Sequence, residues 1–209
     1  MEGASEQAPA GDRGPAAIGA VIAGGHGSRI GGGKAAVELG GRPLISHPLA
    51  AVEAAGLEPL VVAKADSELP PVGCTVIREE LEPRHPLCGI LAALEFSGSR
   101  PLVAVGCDMP FLEAPLLAWL AARPERLVVP SLDGRALPFP GRYRHSLRED
   151  LERALAEERS MGETLAALSP RLLAGPELAA FGDPERLCFN VNTREDLARA
   201  EALLDQAPA

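Results

Sequence analysis

Apolar runs of strand length recur along this chain and constrain its fold more than any other feature. They lie at residues 17–22, 60–63, 75–77, 102–105 and 127–129. Because their apolar residues are continuous and do not alternate with polar ones, both faces of each strand are predicted to be buried. Segments with helical periodicity follow at residues 87–96, 114–122 and 146–158. This alternation predicts an α/β fold with three layers around a doubly wound, mostly parallel sheet.

Two further segments are marked by local signals. Thr193 is predicted to cap a final helix, because Asp196 follows three residues later and an apolar stripe begins at Leu197. Residues 131–144 contain two prolines and a glycine near their centre, so this segment is predicted to be an irregular excursion.

Composition excludes several classes of protein. A net charge of −9 over 209 residues argues against a nucleic-acid partner, because binding to a phosphate backbone requires clustered Lys and Arg. The four cysteines form no Cys-x-x-Cys pair and are predicted to be reduced, mostly buried thiols. No run approaches the roughly 18 apolar residues of a membrane span, so we expect a cytoplasmic protein with no membrane partner.

The domain organisation is expected to be simple. Residues 1–15 are rich in Ala, Gly, Pro and charge without the apolar core of a secretory signal, and they are predicted to be a disordered tail. Residues 16–206 show no break in composition and are predicted to form a single domain.

A glycine-rich loop directly follows the first predicted strand. Residues 23–34 read Ala-Gly-Gly-His-Gly-Ser-Arg-Ile-Gly-Gly-Gly-Lys. Glycines let backbone amides turn toward phosphate oxygens, while Arg29 can grip such oxygens in a fork and Lys34 can act as a point charge. The alternative is a flexible surface loop, which the placement after a buried strand disfavours.

Two better-known phosphate loops do not fit these residues. The Walker pattern requires glycine where Ser28 stands and Ser or Thr where Ala35 follows the lysine. The dinucleotide fingerprint starts well at Gly25 and Gly27, but Ile30 takes the place of its third glycine. A Rossmann dehydrogenase is therefore the weaker alternative.

Polar residues at two other places are candidates for the same site. Asp108 lies just past the apolar run at residues 102–105, where a carboxylate suits either Mg²⁺ or a turn cap. Asn190 and Asn192 would project to one side of a strand and reach one ligand together, although they suit a helix entry as well.

Four motifs together resemble the molybdenum cofactor guanylyltransferases, a family of MobA-like NTP transferases. The glycine loop is followed by Gly-Arg-Pro-Leu at residues 41–44, and His-Pro-Leu-Cys-Gly-Ile at 85–90 resembles a segment that borders the nucleotide. Gly-Cys-Asp-Met-Pro at 106–110 and Asn-Val-Asn-Thr at 190–193 complete the set. Departures from the family pattern are Gly33 for Asp, His85 for Gly, Arg194 for Pro and Ala63 for Asn.

The resemblance implies GTP and molybdopterin as substrates, Mg²⁺ as cofactor and GMP transfer as the reaction. It implies nucleotide contacts from Ile22, Ala23, Gly24, Gly25, Lys34, Glu79, Gly89 and Asp108. The implied catalytic residues are Arg29, Lys34 and Asp108, with Asp108 also the metal ligand, and the implied pterin contacts are Asn190 and Asn192. Glu79 stands where the family has an acid for guanine, although the neighbouring Arg78 is an alternative partner for its carboxylate.

Three other functions stay open at this point. The nearest is a cytidylyltransferase for the same pterin, and the second is a nucleotidyltransferase for a sugar phosphate or phospholactate. The third is a catalytically silent nucleotide-binding protein. Transient contacts with molybdoenzymes that deliver or accept the cofactor are also expected from the resemblance.

Overall fold

A computed structural model describes residues 16–24, 33–80 and 82–206. The strands are β1 (Ile18–Ile22), β2 (Glu38–Leu39), β3 (Arg42–Pro43), β4 (Glu58–Lys64), β5 (Thr75–Glu79), β6 (Leu102–Gly106), β7 (Leu127–Leu132), β8 (Arg135–Ala136), β9 (Gly141–Tyr143) and β10 (Arg171–Leu173). The α-helices are α1 (Ser46–Ala54), α2 (Pro86–Ser97), α3 (Ala114–Ala121), α4 (Arg148–Ala156), α5 (Met161–Leu168), α6 (Gly175–Ala179), α7 (Pro184–Leu187) and α8 (Arg194–Asp205). Short 3-10 helices lie at Lys34–Ala36 and His145–Leu147. The tail predicted at residues 1–15 lies outside the described residues.

The central sheet has the strand order β10-β7-β9-β6-β1-β4-β5, with β8 paired to β7. β1 lies between β4 and β6 and is parallel to both, with Val21 in register with Val61 and Val105. β5 is parallel to β4, and β10 is parallel to β7. Since β9 is antiparallel to both of its neighbours, the sheet is mixed but mostly parallel, as predicted.

Successive residues of the inner strands pack on opposite faces of the sheet. In β1, Ala20 belongs to a core cluster with residues of α2, α4 and α5, whereas Val21 belongs to a second cluster with residues of α1, α3, α6 and α7. All residues of β6 are buried, so this strand has helices over both faces. The three-layer, doubly wound architecture is therefore confirmed.

A third, smaller core joins helix α8 and the segment before it to the β2–β3 hairpin. Val191 and Ala200 pack there with Leu39 of the β2–β3 hairpin and with Phe111. Helix α8 begins with a capping box in which the Thr193 side chain accepts from the Asp196 amide. The predicted cap is thus confirmed, and it fixes the segment that precedes α8.

The excursion predicted at residues 131–144 is partly wrong, because its end is a strand of the central sheet. β9 pairs with β6 and β7, and Tyr143 lies opposite both Leu102 and Leu127. The Tyr143 hydroxyl is buried and donates to the carbonyl oxygen of Pro138 at 2.8 Å. Three residues without an apolar run give no strand signal, so pairing on both sides determines this element.

No helix in the described ranges combines the length and the apolar character needed to cross a bilayer. All four cysteines are free, and Cys107 and Cys188 are buried.

Candidate active site

The carboxyl ends of β1, β4, β5 and β6 meet at one edge of the sheet, because these strands are parallel. Backbone bonds hold the first residues beyond them together: Cys107 N–H donates to Ile22 O at 3.1 Å, and Ala23 N–H donates to Val62 O at 2.7 Å. A cavity of about 410 Å³ opens at this edge. Its lining includes seven residues predicted for the site, namely Ile22, Gly24, Lys34, Glu79, Gly89, Asp108 and Asn190.

Lys34 and Asp108 form an ion pair, the Lys34 pair, at one end of this lining. Lys34 Nζ lies 2.6 Å from Asp108 Oδ2 and donates to Asn192 Oδ1 at 2.7 Å. The two side chains of the pair are 11% and 18% exposed, so solvent screens their charges only partly. One ammonium therefore joins three segments that are far apart in the sequence.

The local fold explains how these side chains reach one another. Lys34 begins a 3-10 helix after Gly33, whose φ of 49° is left-handed, and the buried Ala35 anchors that helix by accepting from Ile45 N–H at 3.2 Å. Asp108 follows β6, and its carbonyl oxygen accepts from Val191 N–H at 2.9 Å. That bond draws the segment before α8 to the edge of the sheet.

Cys107 lies beside this ion pair and is not a reactive group. Burial, together with the negative charge of Asp108, raises the pKa of the Cys107 thiol to about 12. The thiol therefore stays protonated at neutral pH, and a nucleophilic role requires the thiolate.

The two asparagines do not lie in a strand, so the strand geometry predicted for them is wrong. Asn190 donates to the carbonyl oxygen of Cys188 at 2.8 Å and lines the cavity, whereas Asn192 is exposed and contacts Lys34. The Asn192 N–H donates to the Asp196 carboxylate at 2.9 Å. This N–H therefore bonds to the cap of α8 and not to a neighbouring strand.

A second ion pair, the Lys64 pair, is formed by Lys64 and Glu79 at the ends of β4 and β5. Lys64 Nζ lies 3.5 Å from Glu79 Oε1 and donates to the carbonyl oxygen of Pro83 at 2.9 Å. Burial raises the pKa of the Glu79 carboxyl above its ordinary value, and the charge of Lys64 opposes that shift. Arg78, the alternative partner of Glu79, instead donates to the carbonyl oxygens of Lys64 and Ser67.

Two glycines leave open space beside Glu79. A Cβ atom on Gly24 would lie 3.2 Å from Glu79 Oε1. A Cβ atom on Gly89 would lie 2.8 Å from Ile22 Cγ2 and 3.8 Å from Glu79 Oε1. Any larger residue at Gly24 or Gly89 would narrow the approach to this carboxylate, so these positions suit the close approach of a flat ligand.

Comparison with known proteins shows the family of this chain. The model of the MobA-like NTP transferase domain matches residues 19–172. The chain belongs to this family. A molybdenum cofactor guanylyltransferase of Cereibacter sphaeroides is 37% identical over 90% of this chain and 96% of that protein. One of Rhizobium johnstonii is 33% identical over 90% of this chain and 92% of that protein.

A solved structure of a MobA-like protein shares the fold. The molybdopterin-guanine dinucleotide biosynthesis protein A of Archaeoglobus fulgidus is 25% identical, with a TM-score of 0.75. The match covers 91% of this chain and all of that chain. The present chain is accordingly a nucleotidyltransferase of the MobA-like family.

Three lining residues belong neither to the four motifs nor to the predicted site: Lys64, Arg84 and Phe139. Lys64 carried a usable signal, because it is a charge at the end of an apolar strand, as Asp108 is. His85, the first residue of the motif at residues 85–90, both lines the cavity and caps α2 by accepting from Leu87 N–H at 3.2 Å.

Three other residues predicted for the site do not appear in the lining of the cavity, two of them predicted nucleotide contacts and one, Arg29, a predicted catalytic residue. Gly25 and Arg29 lie outside the described residues. The Ala23 side chain is buried, with 4% of the residue exposed, so a contact with a ligand would come from its backbone. Its carbonyl oxygen accepts from Ser67 Oγ at 3.3 Å.

The residues around the Lys34 pair fit a hard divalent ion. In residues 16–24, 33–80 and 82–206, no three His, Cys, Asp or Glu side chains cluster as an all-protein metal cage requires. Mg²⁺ does not need such a cage, since it binds through one or two carboxylates, phosphate oxygens and water. The Asp108 carboxylate and the Asn192 amide oxygen both accept from the Lys34 ammonium, and both are hard oxygen ligands for a metal ion. The MobA-like family typically uses a divalent metal ion.

Proposed function

We propose that this protein transfers GMP from GTP to the phosphate of molybdenum-bound molybdopterin, giving the guanine dinucleotide form of the cofactor and pyrophosphate. Membership in the MobA-like family and the names of its relatives support this reaction. The observation that carries the proposal is the contact of Lys34 with both Asp108 and Asn192 beside the cavity. Had these motif residues stood at opposite edges of the sheet, they could not have formed a shared phosphate site.

The chemistry requires little covalent participation from the protein. A pterin phosphate oxygen, already ionised, attacks the α-phosphorus of GTP, and the bond from that phosphorus to the bridging oxygen of the β-phosphate breaks. The electron pair leaves with pyrophosphate, so no general base is needed. Positioning and neutralisation of charge are therefore the tasks of the site.

Lys34 is proposed to neutralise charge on the phosphates. Its ammonium has three N–H donors, and Asp108 and Asn192 accept two of them. Asp108, with Asn192 beside it, would hold Mg²⁺, which when bound neutralises charge on the reacting and leaving phosphates. Arg29 and the amides of the glycine loop, including Gly25, are predicted to add donors to the same phosphates.

The other end of the cavity is proposed to hold the base. Guanine presents a ring N–H and an exocyclic amine side by side, and both oxygens of the Glu79 carboxylate can accept from them. Gly24 and Gly89 leave room for a flat ring beside this carboxylate. Ile22 and the backbone of Ala23 border the same space.

Asn190 and Asn192 are proposed to face the pterin. They flank Val191, whose N–H donates to the Asp108 carbonyl oxygen, so both lie on the segment held beside Asp108. We further propose that the protein acts in the cytoplasm and makes transient contacts with the molybdoenzymes that deliver or receive the cofactor.

The test is pyrophosphate release with molybdopterin as acceptor, measured with GTP or CTP and with or without Mg²⁺. Wild type should turn over GTP in preference to CTP and only with the metal. Asp108→Asn should lower kcat by roughly 100-fold, as expected for the loss of a transition-state contact. Asp150→Asn, an acid that lies outside the cavity lining, is the matched control and should keep wild-type turnover. Preference for CTP, or full activity of Asp108→Asn, would contradict the proposal.

A further inference from the structure

The last two residues of β4 differ in character and in the face of the sheet that they occupy. The first of them, Ala63, is fully buried. Ala63 belongs to the core cluster on the α1 and α3 face of the sheet. The next residue, Lys64, projects to the opposite face, because successive strand residues alternate. A cation therefore lies on the cavity side of the sheet, at the last residue of β4.

Lys64 is an unusual group to find at this depth. Its side chain is only 3% exposed, and an ammonium without partners is costly to bury. Two partners are identified in the described part of the chain, the carbonyl oxygen of Pro83 and the more distant Glu79 Oε1. An ammonium has three donors, so one N–H is left for a further acceptor. Because Lys64 lines the cavity, a ligand there can provide that acceptor.

The edge of guanine matches a carboxylate next to an ammonium. Guanine presents two adjacent donors, the exocyclic amine and the ring N–H, followed by the acceptor O6. Glu79 can accept from both donors with its two oxygens, which leaves O6 beside the neighbouring cation. Cytosine and adenine each present one exocyclic amine next to a ring acceptor, so neither can use both carboxylate oxygens and the ammonium together.

We propose that Lys64 is a specificity-determining residue that donates a hydrogen bond to O6 of the guanine base whose two N–H groups Glu79 accepts. This inference rests on the proposed function, since it takes GTP as the substrate.

Lys64 also acts on Glu79 directly. Burial favours the protonated carboxyl, which has only one good acceptor position for the base, and the nearby cation favours the ionised form. The same side chain therefore maintains the acceptor for the guanine N–H groups and supplies the donor for O6.

The experiment is a double-mutant cycle that pairs one protein change with one change in the ligand. Dissociation constants are measured by calorimetry for GTP and for 6-thio-GTP, in which sulfur, a poor acceptor, replaces O6. Wild type should bind 6-thio-GTP about tenfold more weakly, the scale of a hydrogen bond to a charged group. Lys64→Met should bind the two nucleotides equally, because the donor is gone. Lys64→Gln, which keeps a neutral donor, should restore part of the difference.

Arg78→Met is the matched control. Arg78 is a neighbouring cation that donates to the Lys64 carbonyl oxygen but does not line the cavity. This variant should keep the wild-type ratio of affinities. An equal loss with sulfur in wild type and in Lys64→Met would overturn the role of Lys64.

The outcomes separate this inference from the proposed function. Wild type that prefers GTP to CTP and transfers GMP, but binds 6-thio-GTP as well as GTP, would overturn only the contact from Lys64. This comparison needs no variant, so it decides the question even if Lys64→Met fails to fold. Wild type that does not prefer GTP over CTP would overturn the proposed function itself.

Discussion

The cavity has a lysine–carboxylate pair at each end, and the two pairs differ in distance, burial and proposed use. The Lys34 pair is in direct contact at 2.6 Å, whereas the Lys64 pair is separated by 3.5 Å and its lysine is almost fully buried. The first pair joins a 3-10 helix to the turn after β6, 74 residues apart in sequence, while the second joins the last residues of two adjacent strands. The proposed phosphate end is thus built from segments outside the sheet, and the proposed base end from the sheet itself.

The same pairing of charges can thus serve two purposes. A partly exposed pair outside the sheet can exchange partners when a triphosphate and a metal ion bind. A pair fixed to the sheet cannot move far, so it suits the recognition of a rigid ring. We therefore expect substitutions at the first pair to change turnover and those at the second to change the preference among nucleotides.

Lys34→Met should produce the largest effect. It removes the ammonium that bridges Asp108 and Asn192, so kcat should fall by roughly 100-fold while the preference for GTP over CTP persists. Steady-state pyrophosphate release with both nucleotides measures the two quantities. A change in nucleotide preference with normal kcat would reverse the assignment of the two ends.

Gly89→Ala should affect mainly the base end. The added methyl group would lie 2.8 Å from Ile22 Cγ2 and intrude beside Glu79, so KM for GTP should rise by about tenfold, the scale of moderate overpacking. The matched control is Gly162→Ala, in helix α5, where an added Cβ meets no atom within 4 Å. Gly162→Ala should keep KM unchanged. An equal KM for both variants would contradict the proposed position of the base.

The ratio of GTP to CTP affinity should change several-fold with pH, because a carboxyl at the base end titrates. Because burial raises the pKa of Glu79 above the ordinary 4.5, protonation begins at a higher pH than for an exposed carboxyl. The ratio of GTP to CTP affinity should therefore fall as the pH is lowered through that raised pKa. Glu79→Gln should abolish this titration.

His85 and Arg84 also line this end of the cavity. Burial lowers the pKa of His85, so its imidazole becomes charged only at lower pH than usual. His85→Asn is the control for this group and should keep the titration of GTP preference. Its loss in that variant would assign the titration to His85.

Thr193→Ala should have the smallest effect. Loss of the capping hydrogen bond should lower the free energy of unfolding by about 1 kcal/mol, measured by denaturant titration. Because the cap also holds the Asn192 backbone, kcat should fall slightly and nucleotide preference should not change. Altered preference would show that the two ends are coupled.

Much of the fold was predictable because burial on both faces leaves a continuous apolar pattern. The runs at residues 60–63 and 102–105 lie within β4 and β6, and the cap at Thr193 needed only local chemistry. β9 was not predictable. Its three residues gain their structure from pairing with strands that are distant in sequence, and no periodicity in so short a segment reports that pairing.

The site was predictable where a motif residue follows an apolar strand. Lys34 and Asp108 were both assigned to one site, and the structure places them in contact. The Lys64 pair was missed because Lys64 matches no family motif and because the partner of Glu79 lies on an adjacent strand rather than next to it in sequence. Distances across a sheet depend on strand order, which a single sequence does not specify.

The bond between Lys34 and Asn192 spans 158 residues. During synthesis, the ribosome delivers the glycine loop and both strands around β1 well before it delivers this asparagine. An emerging chain can thus build the sheet, and with it the base end, while the ammonium still lacks its last acceptor. The segment at Asn192 thus completes the proposed arrangement for phosphate transfer after the strands of the base end have been synthesised.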